Sequence, residues 1–404
     1  MRFGTKKRTR ILFIAEAVTL AHLTRPLLLA RSLDPERFEI HFACAPGHER
    51  FLDGAGFAVR QIRTVPSRQF LIAMAKGFHV FSRQTLLDYV EEDLRILEEV
   101  DPDLVVGDLR HSLAVSAKLR KVPHVAIANI HWSPFASIKR FPVPENPLVK
   151  ILGIRGTGVF LRLFQPVLLS TYARPLNQVR RRYGLPPVGD MRHVMTFGDY
   201  TLYPDMPSLF PTHGLPSNHR FIGPILWSPN VALPSWWSSV PRDKPCIYVT
   251  LGASGQVKYL PLLVKALSDL PATLLVATAG RLSLSDLPEN VFAADFLPGM
   301  EAARRSSLVV CNGGSATAYQ ALESGIPVLG IAYNIDQYLT MSAVAQKGAG
   351  VLLRSGRLTP TAVREAAQRI LTVREYRTAA AKIAEECALY DAPTVFQDFL
   401  KTTF

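Results

Sequence analysis

A strand that breaks at two glycines into a helix is built to hold an anion, and residues 308–320 have that form. Leu308–Cys311 is a short apolar run suited to a buried strand, Asn312, Gly313 and Gly314 follow, and a helix is expected from Ser315. Glycines let a backbone approach a ligand closely. A helix whose first turn holds Ser315 and Thr317 then offers free N–H groups and the positive end of its dipole. The anion expected there is a diphosphate. A second position with chemical potential is His22, in Ala21-His22-Leu23-Thr24-Arg25-Pro26, between a strand-like run over 10–17 and a helical run over 23–33. At a helix N-terminus the dipole favours the neutral imidazole, which can accept a proton. Asp108 ends another strand-like run, Leu104–Asp108, where it is either a partner for such a base or the cap of the following helix.

The ordered string from Asn290 to Leu353 resembles the nucleotide-sugar signature of GT-B glycosyltransferases. The resemblance is to the group that holds natural-product and small-molecule transferases and the peptidoglycan lipid-precursor transferase. It is strong over 246–353, moderate over 10–130 and poor over 135–200. It implies a donor diphosphate held by Gly313, Gly314, Ser315 and Thr317, with Asn312 where relatives usually carry His and Gln320 where they often carry Glu. It implies that Phe296 and Leu297, in Phe-Leu-Pro-Gly, meet the nucleobase by ring stacking and a backbone amide. It implies that Gly252 and Ser254 lie near the β-phosphate, and that Asp336 and Gln337 bind sugar hydroxyls. In the first half, the family's Gly-His becomes Ala21-His22. The resemblance makes His22 the general base toward an acceptor hydroxyl and Asp108 the carboxylate that orients it. His111, three residues after Asp108, and His131-Trp132 after another strand end are candidates to line the acceptor pocket.

Those residues need a scaffold, and strand-like and helix-like segments alternate along the chain. Strands are expected over 10–17, 38–44, 59–65, 104–108, 124–130 and 200–203, then over 246–251, 273–278, 291–296, 308–311, 328–331 and 350–353. Helical patterns include 23–33, 86–99 and 113–119. Such alternation predicts an α/β protein of parallel sheets with right-handed crossovers. The expected architecture is GT-B, two Rossmann-like domains facing a central cleft. They would comprise an acceptor domain over 1–220 and a nucleotide-sugar domain over 221–404, whose last helix could return to the first domain. The break falls near the Pro-, Ser- and Trp-rich stretch 216–245.

Composition agrees with that class. The chain has 404 residues, 48% hydrophobic and 20% charged, which suits two folded domains and excludes a disordered chain. The four cysteines are widely spaced without metal-ligand spacing, so free thiols in a reducing compartment are expected. The N-terminal basic and apolar stretch imitates a signal peptide, but the apolar part is short and carries Glu16, so a first strand explains it better. No apolar run approaches the roughly 20 residues of a membrane-spanning helix.

Charge is lopsided. Residues 1–220 hold 30 Lys/Arg and 19 Asp/Glu, and within 139–192 ten basic residues face only Glu145 and Asp190. Basic and apolar residues are interleaved there, for example Arg155, Phe160, Arg162 and Phe164, which suits an anionic membrane surface. Residues 67–85 are a second such stretch. No nucleic-acid recognition motif accompanies the charge.

The expected function is inverting transfer of a sugar from a UDP- or dTDP-sugar co-substrate to a hydroxyl of an apolar or lipid-like acceptor. No cofactor and no metal are called for, because a helix end can neutralise the leaving diphosphate. The expected place is the cytoplasm, with a peripheral position on the inner membrane face. The rival functions are a GT-B sugar-nucleotide epimerase and a non-catalytic sugar-nucleotide-binding partner subunit.

Overall fold

The structure is a computed structural model that describes residues 8–76, 79–138 and 141–404. Lys139 and Arg140 of the basic stretch, and Gly77 and Phe78 of the second one, lie outside the described residues. Two compact units are present: residues 1–138, 161–225 and 390–404 form unit 1, and residues 139–160 and 226–389 form unit 2. The sequence places 141–160 in the first domain, whereas here it groups with unit 2.

Unit 1 is built on seven parallel strands: β1 (Thr9–Ala15), β2 (Phe38–Cys44), β3 (Ala58–Gln61), β4 (Leu104–Asp108), β5 (His124–Ile127), β6 (Tyr200–Tyr203) and β7 (His219–Phe221). Their order is β3-β2-β1-β4-β5-β6-β7. The chain starts in the middle of the sheet and winds outward twice, so the strand order reverses between β1 and β4. Central strands are near-continuous apolar runs because helices cover both faces. Ile11, Leu12, Phe13 and Ile14 of β1 are fully buried. Helices α1 (Leu20–Arg31), α2 (Ser67–Lys76), α3 (Arg83–Val100), α4 (Leu113–Arg120) and α6 (Met191–Met195) belong to this unit, whereas α5 (Pro147–Arg182) begins in unit 2 and ends in unit 1. The strands expected over 59–65 and 124–130 are shorter here, the latter because Ile130–Trp132 turns into a single 3-10 turn.

Unit 2 repeats the plan with six parallel strands: β8 (Cys246–Thr250), β9 (Thr273–Ala277), β10 (Val291–Ala294), β11 (Leu308–Cys311), β12 (Val328–Ala332) and β13 (Gly350–Arg354). The order is β10-β9-β8-β11-β12-β13. Its helices are α7 (Leu260–Ser268), α8 (Gly299–Arg305), α9 (Ser315–Glu323), α10 (Ile335–Gln346), α11 (Pro360–Thr372) and α12 (Arg374–Cys387). The final helix, α13 (Ala392–Thr403), belongs to unit 1, where Phe396 packs edge-on against Phe13 with ring centroids 6.2 Å apart.

All four cysteines are free and buried. Of the second apolar-basic stretch, Phe81 and Ala73 are buried in the core around α3, and Phe70 and Met74 pack against it, so much of its apolar content faces inward.

Candidate active site

Each sheet brings its loops together at the carboxyl ends of the central strands, where an α/β sheet presents its ligands. In unit 1 the first such loop leads from β1 into α1. Thr19 caps α1 without a side-chain bond, so the first turn, which carries His22, keeps unsatisfied N–H groups. His22 Nδ1 lies 2.7 Å from Asp108 Oδ1 at the end of β4. With the proton on Nδ1 donated to Asp108, Nε2 is left as the basic ring nitrogen.

Sequence reasoning missed the third member. Arg25, one turn after His22, donates from Nε to Asp108 Oδ2 and from Nη2 to Asp108 Oδ1, both at 2.8 Å. Its Nη1 reaches Asn129 Oδ1 at 2.8 Å, and Asn129 in turn donates to Asp205. Asp108 is 1% exposed, so its charge needs this forked partner. Arg25 Nη2 also stands 2.8 Å from His22 Nδ1. It could donate there only to an unprotonated Nδ1, so it competes with Asp108, whose acceptance of the Nδ1 proton is what leaves Nε2 free. The only local signal was the three-residue spacing that puts Arg25 on the same face of α1 as His22.

His111 is buried, its ring edge-on to Phe81 at 5.1 Å, and its Nε2 has no hydrogen-bond partner. Burial, and the nearby His22, push its pKa down to about 4. His131 has no exposed surface; it packs against Trp132 and Phe210 at 5.4 and 5.3 Å, and Trp132 is also buried. Both rings are packed into unit 1 instead of standing on an open wall.

The buried histidines carry a prediction. His124 on β5 is likewise held near pKa 4, chiefly by burial. In the unfolded chain both imidazoles take protons below about pH 6.5. The folded state cannot, so stability present above pH 6.5 is lost as pH falls toward 4, by up to about 3 kcal/mol per histidine. Urea unfolding should show a loss between pH 7 and 5 that His124→Phe reduces by about half. Equal midpoints at both pH values would contradict the assignment.

A second charged cluster sits behind the same loops. Arg110 Nη1 donates to Glu16 Oε2 at 3.0 Å, and its Nη2 donates to Glu92 Oε2 at 3.0 Å and Asp93 Oδ1 at 2.9 Å. Burial raises the pKa of both Glu16 and Asp93, against the opposing pull of Arg110. Between Asp108 and Arg110 stands Leu109 with φ 59°, a strained left-handed conformation for a branched residue. It is clamped between two buried ion pairs. A cavity of about 720 Å³ borders this cluster, lined by Ala17, Gln61, Arg63, Gln69, Tyr89 and Glu92 among others; His22, Arg25 and Asp108 are not in its lining.

In unit 2, Gly313 follows β11 by two residues; its φ is 79° and an added Cβ would stand 2.5 Å from Met341 Cγ, so this glycine is demanded by the fold. Gly314 differs. Its φ is −70°, and an added Cβ would make only ordinary contact with Asn312 Oδ1 at 3.5 Å. Gly314 caps α9 without a side-chain bond, and no acidic residue stands in the first turn, so the amides near Ser315 and Thr317 remain available to an anion. Asn312 is already engaged: its Nδ2 donates to Ser254 Oγ at 3.0 Å and its Oδ1 accepts from Gly314 N at 3.3 Å. It ties this turn to the loop after β8. Arg281 Nη1 holds that loop from the other side through the carbonyls of Gly252 and Gly255, at 3.0 and 2.7 Å.

Phe296 is 49% exposed after β10, whereas Leu297 is buried. Gln320 is buried and donates to the carbonyl of Trp227. Gln337 is the N3 residue of a capping box on α10, where its Oε1 accepts from Tyr333 N at 2.9 Å and its backbone N–H donates to Asn334 Oδ1. Asp336 stands in the first turn of the same helix. The amides of Gln320 and Gln337 are therefore spent largely on their own scaffold.

Comparison with known proteins follows the same lines. Residues 262–401 match the family described as erythromycin biosynthesis protein CIII-like, C-terminal domain. The chain is 49% identical over 380 residues to a PGL/p-HBAD biosynthesis glycosyltransferase of Mycobacterium tuberculosis, covering 94% of this chain and 89% of that protein. It is 50% identical over 380 residues to a PGL/p-HBAD biosynthesis rhamnosyltransferase of Mycobacterium bovis, covering 94% of this chain and 84% of that one. Among solved structures, the spinosyn rhamnosyltransferase SpnG complexed with thymidine diphosphate is similar with a TM-score of 0.70 at 21% identity, covering 97% of this chain and 100% of that chain.

Proposed function

Because this chain belongs to the glycosyltransferase family of these mycobacterial relatives and has the GT-B fold, we propose that it moves a hexosyl group from a nucleoside-diphosphate sugar to a hydroxyl of an apolar, lipid-like acceptor, with inversion at the anomeric carbon. The observation that carries this is the 2.7 Å pair of His22 Nδ1 with the buried Asp108. His22 Nε2 takes the proton of the acceptor hydroxyl as its oxygen attacks the anomeric carbon. Asp108 stabilises the imidazolium that forms, and Arg25 keeps the carboxylate in place. The bond from the anomeric carbon to the diphosphate breaks. The leaving charge moves onto the amides at the start of α9, where the helix dipole opposes it without reorganisation. Phe296 stacks on the nucleobase, and Asp336 meets the sugar hydroxyls. A thymidine-linked rhamnosyl donor is the first to assay, given the names of the M. bovis relative and of the structural neighbour.

Nucleotide release with alkylphenol and lipid acceptors, with dTDP-rhamnose and UDP-glucose as donors, tests the reading. The anomeric configuration of the product is read by NMR. Donor hydrolysis or epimerisation that acceptor does not stimulate would overturn it.

The donor half has its own prediction. Gly314→Val suits the local backbone and meets only Asn312, so unfolding should shift by no more than about 1 kcal/mol. Its side chain occupies the approach to the α9 amides, so titration calorimetry should show at least about a tenfold loss of nucleoside-diphosphate affinity. Unchanged affinity would move the diphosphate away from this turn.

A further inference from the structure

Helix α5 exposes an apolar face that no part of the described structure covers. Over 151–168 only Thr157 is buried, while Ile151 is 77% and Leu163 69% exposed. Val159, Leu163 and Val167 follow one another at four-residue spacing and so share one face, each of them exposed. Arg155 and Arg174 continue that face at its two ends, Arg162 flanks it, and all three are exposed. The helix carries seven Lys/Arg and no Asp/Glu. The sequence shows no uninterrupted apolar run of membrane length because Arg155 and Arg162 interrupt it, yet the helix is long and apolar enough to cross a bilayer by length and composition.

Its anchoring argues against crossing. Just before the helix, Glu145 accepts from Tyr338 Oη at 2.8 Å within unit 2, while Ala173, Leu176 and Val179 near its other end are buried in a core cluster of unit 1. The chain also passes between the units near residues 138, 225 and 389. Among the described residues, no other helix has the length and apolarity to cross there. With the units joined by three further passages of the chain, a helix whose two ends belong to different units is read as lying along a bilayer, not through it. Gly153, with φ 64°, kinks the helix, so its first turns and the longer run after it need not be collinear.

We propose that the exposed face of α5 docks this protein onto a bilayer surface containing anionic phospholipid. Apolar side chains sink to the acyl boundary, and Lys150, Arg155, Arg162 and Arg174 meet the headgroups. Like charge along the whole helix disfavours a second copy of the same face as the occupant. The proposal does not depend on the identity of the acceptor.

Flotation of the full chain with vesicles of phosphatidylcholine, with and without phosphatidylglycerol, tests it at low and high salt. The expected result is binding to the anionic vesicles at low salt, weakened about tenfold or more at high salt. The doubly substituted Leu163→Glu, Val167→Glu protein should lose about tenfold or more of that binding while keeping the wild-type melting temperature and nucleotide affinity, since both side chains are exposed. Arg155→Gln with Arg162→Gln should remove most of the salt-sensitive part. Equal binding to neutral vesicles by all variants, no binding to anionic ones, or a concentration-dependent dimer abolished by Leu163→Glu would each overturn the proposal.

Discussion

Replacing His22 with alanine lowers turnover by about 10²–10⁴-fold and leaves donor affinity within about twofold, because a general base acts on the transition state and not on ground-state donor binding. The geometry makes the expectation specific. Only Nε2 of His22 is left to a substrate, since Nδ1 is held at 2.7 Å by a carboxylate that Arg25 grips with two nitrogens. Asp108→Asn should therefore fall in the same range: the amide invites the wrong tautomer, and Arg25 loses its counter-charge. Initial rates from acceptor-dependent nucleotide release, with calorimetry for donor binding, decide the matter. Turnover within a few-fold of wild type would pass the proton to another group, and His111, buried near His22 with an unpartnered Nε2, is then the one to examine.

The largest expected effect on stability comes from Arg110→Met. Arg110 is fully buried among Glu16, Glu92 and Asp93, of which Glu16 and Asp93 are equally inaccessible. Removing it leaves the buried Glu16 and Asp93 without a cation, while Glu92 keeps only the exposed Arg63 at 3.4 Å, which costs on the order of 3–5 kcal/mol. The sign of the pH dependence identifies the cause. Glu16 and Asp93 already have raised pKa values in the folded protein, chiefly from burial, and losing Arg110 raises them further. A carboxyl that holds its proton more tightly when folded stabilises the fold as pH falls. Urea unfolding should therefore show the gap between variant and wild type closing from pH 7.5 toward pH 5. A gap that is small, or that widens with acid, would mean that the cluster is not held together by this charge balance. Activity should fall with the fold, because Arg110 and Asp108 flank the strained Leu109.

Much of the framework was legible in the chain itself. Apolar runs such as Ile11–Phe13 and Leu308–Cys311 are strands because a parallel sheet covered on both faces tolerates only such runs, and that pattern is local. The Gly313-Gly314 turn into α9 was also readable, since glycine before a helix start is a property of neighbouring residues. So was the candidacy of His22, in the first turn of the helix after β1, and of Asp108, at the end of β4.

Other features depend on residues far apart in sequence. Arg25 meets Asp108 across 83 positions, and Arg110 meets Glu16 across 94. In the chain each is one arginine among many; only parallel pairing of β1 with β4 makes them neighbours. The two glycines look alike in sequence, but only the packing of Met341 makes Gly313 indispensable to the fold and leaves Gly314 open. Gln320 and Gln337 read as ligand contacts until Trp227 and the α10 cap occupy their amides. Residues 151–168 read equally well as a core helix or a surface one, because apolar periodicity records that a face needs covering and not what covers it. Burial is a property of the whole assembly of elements, and here it leaves that face outside.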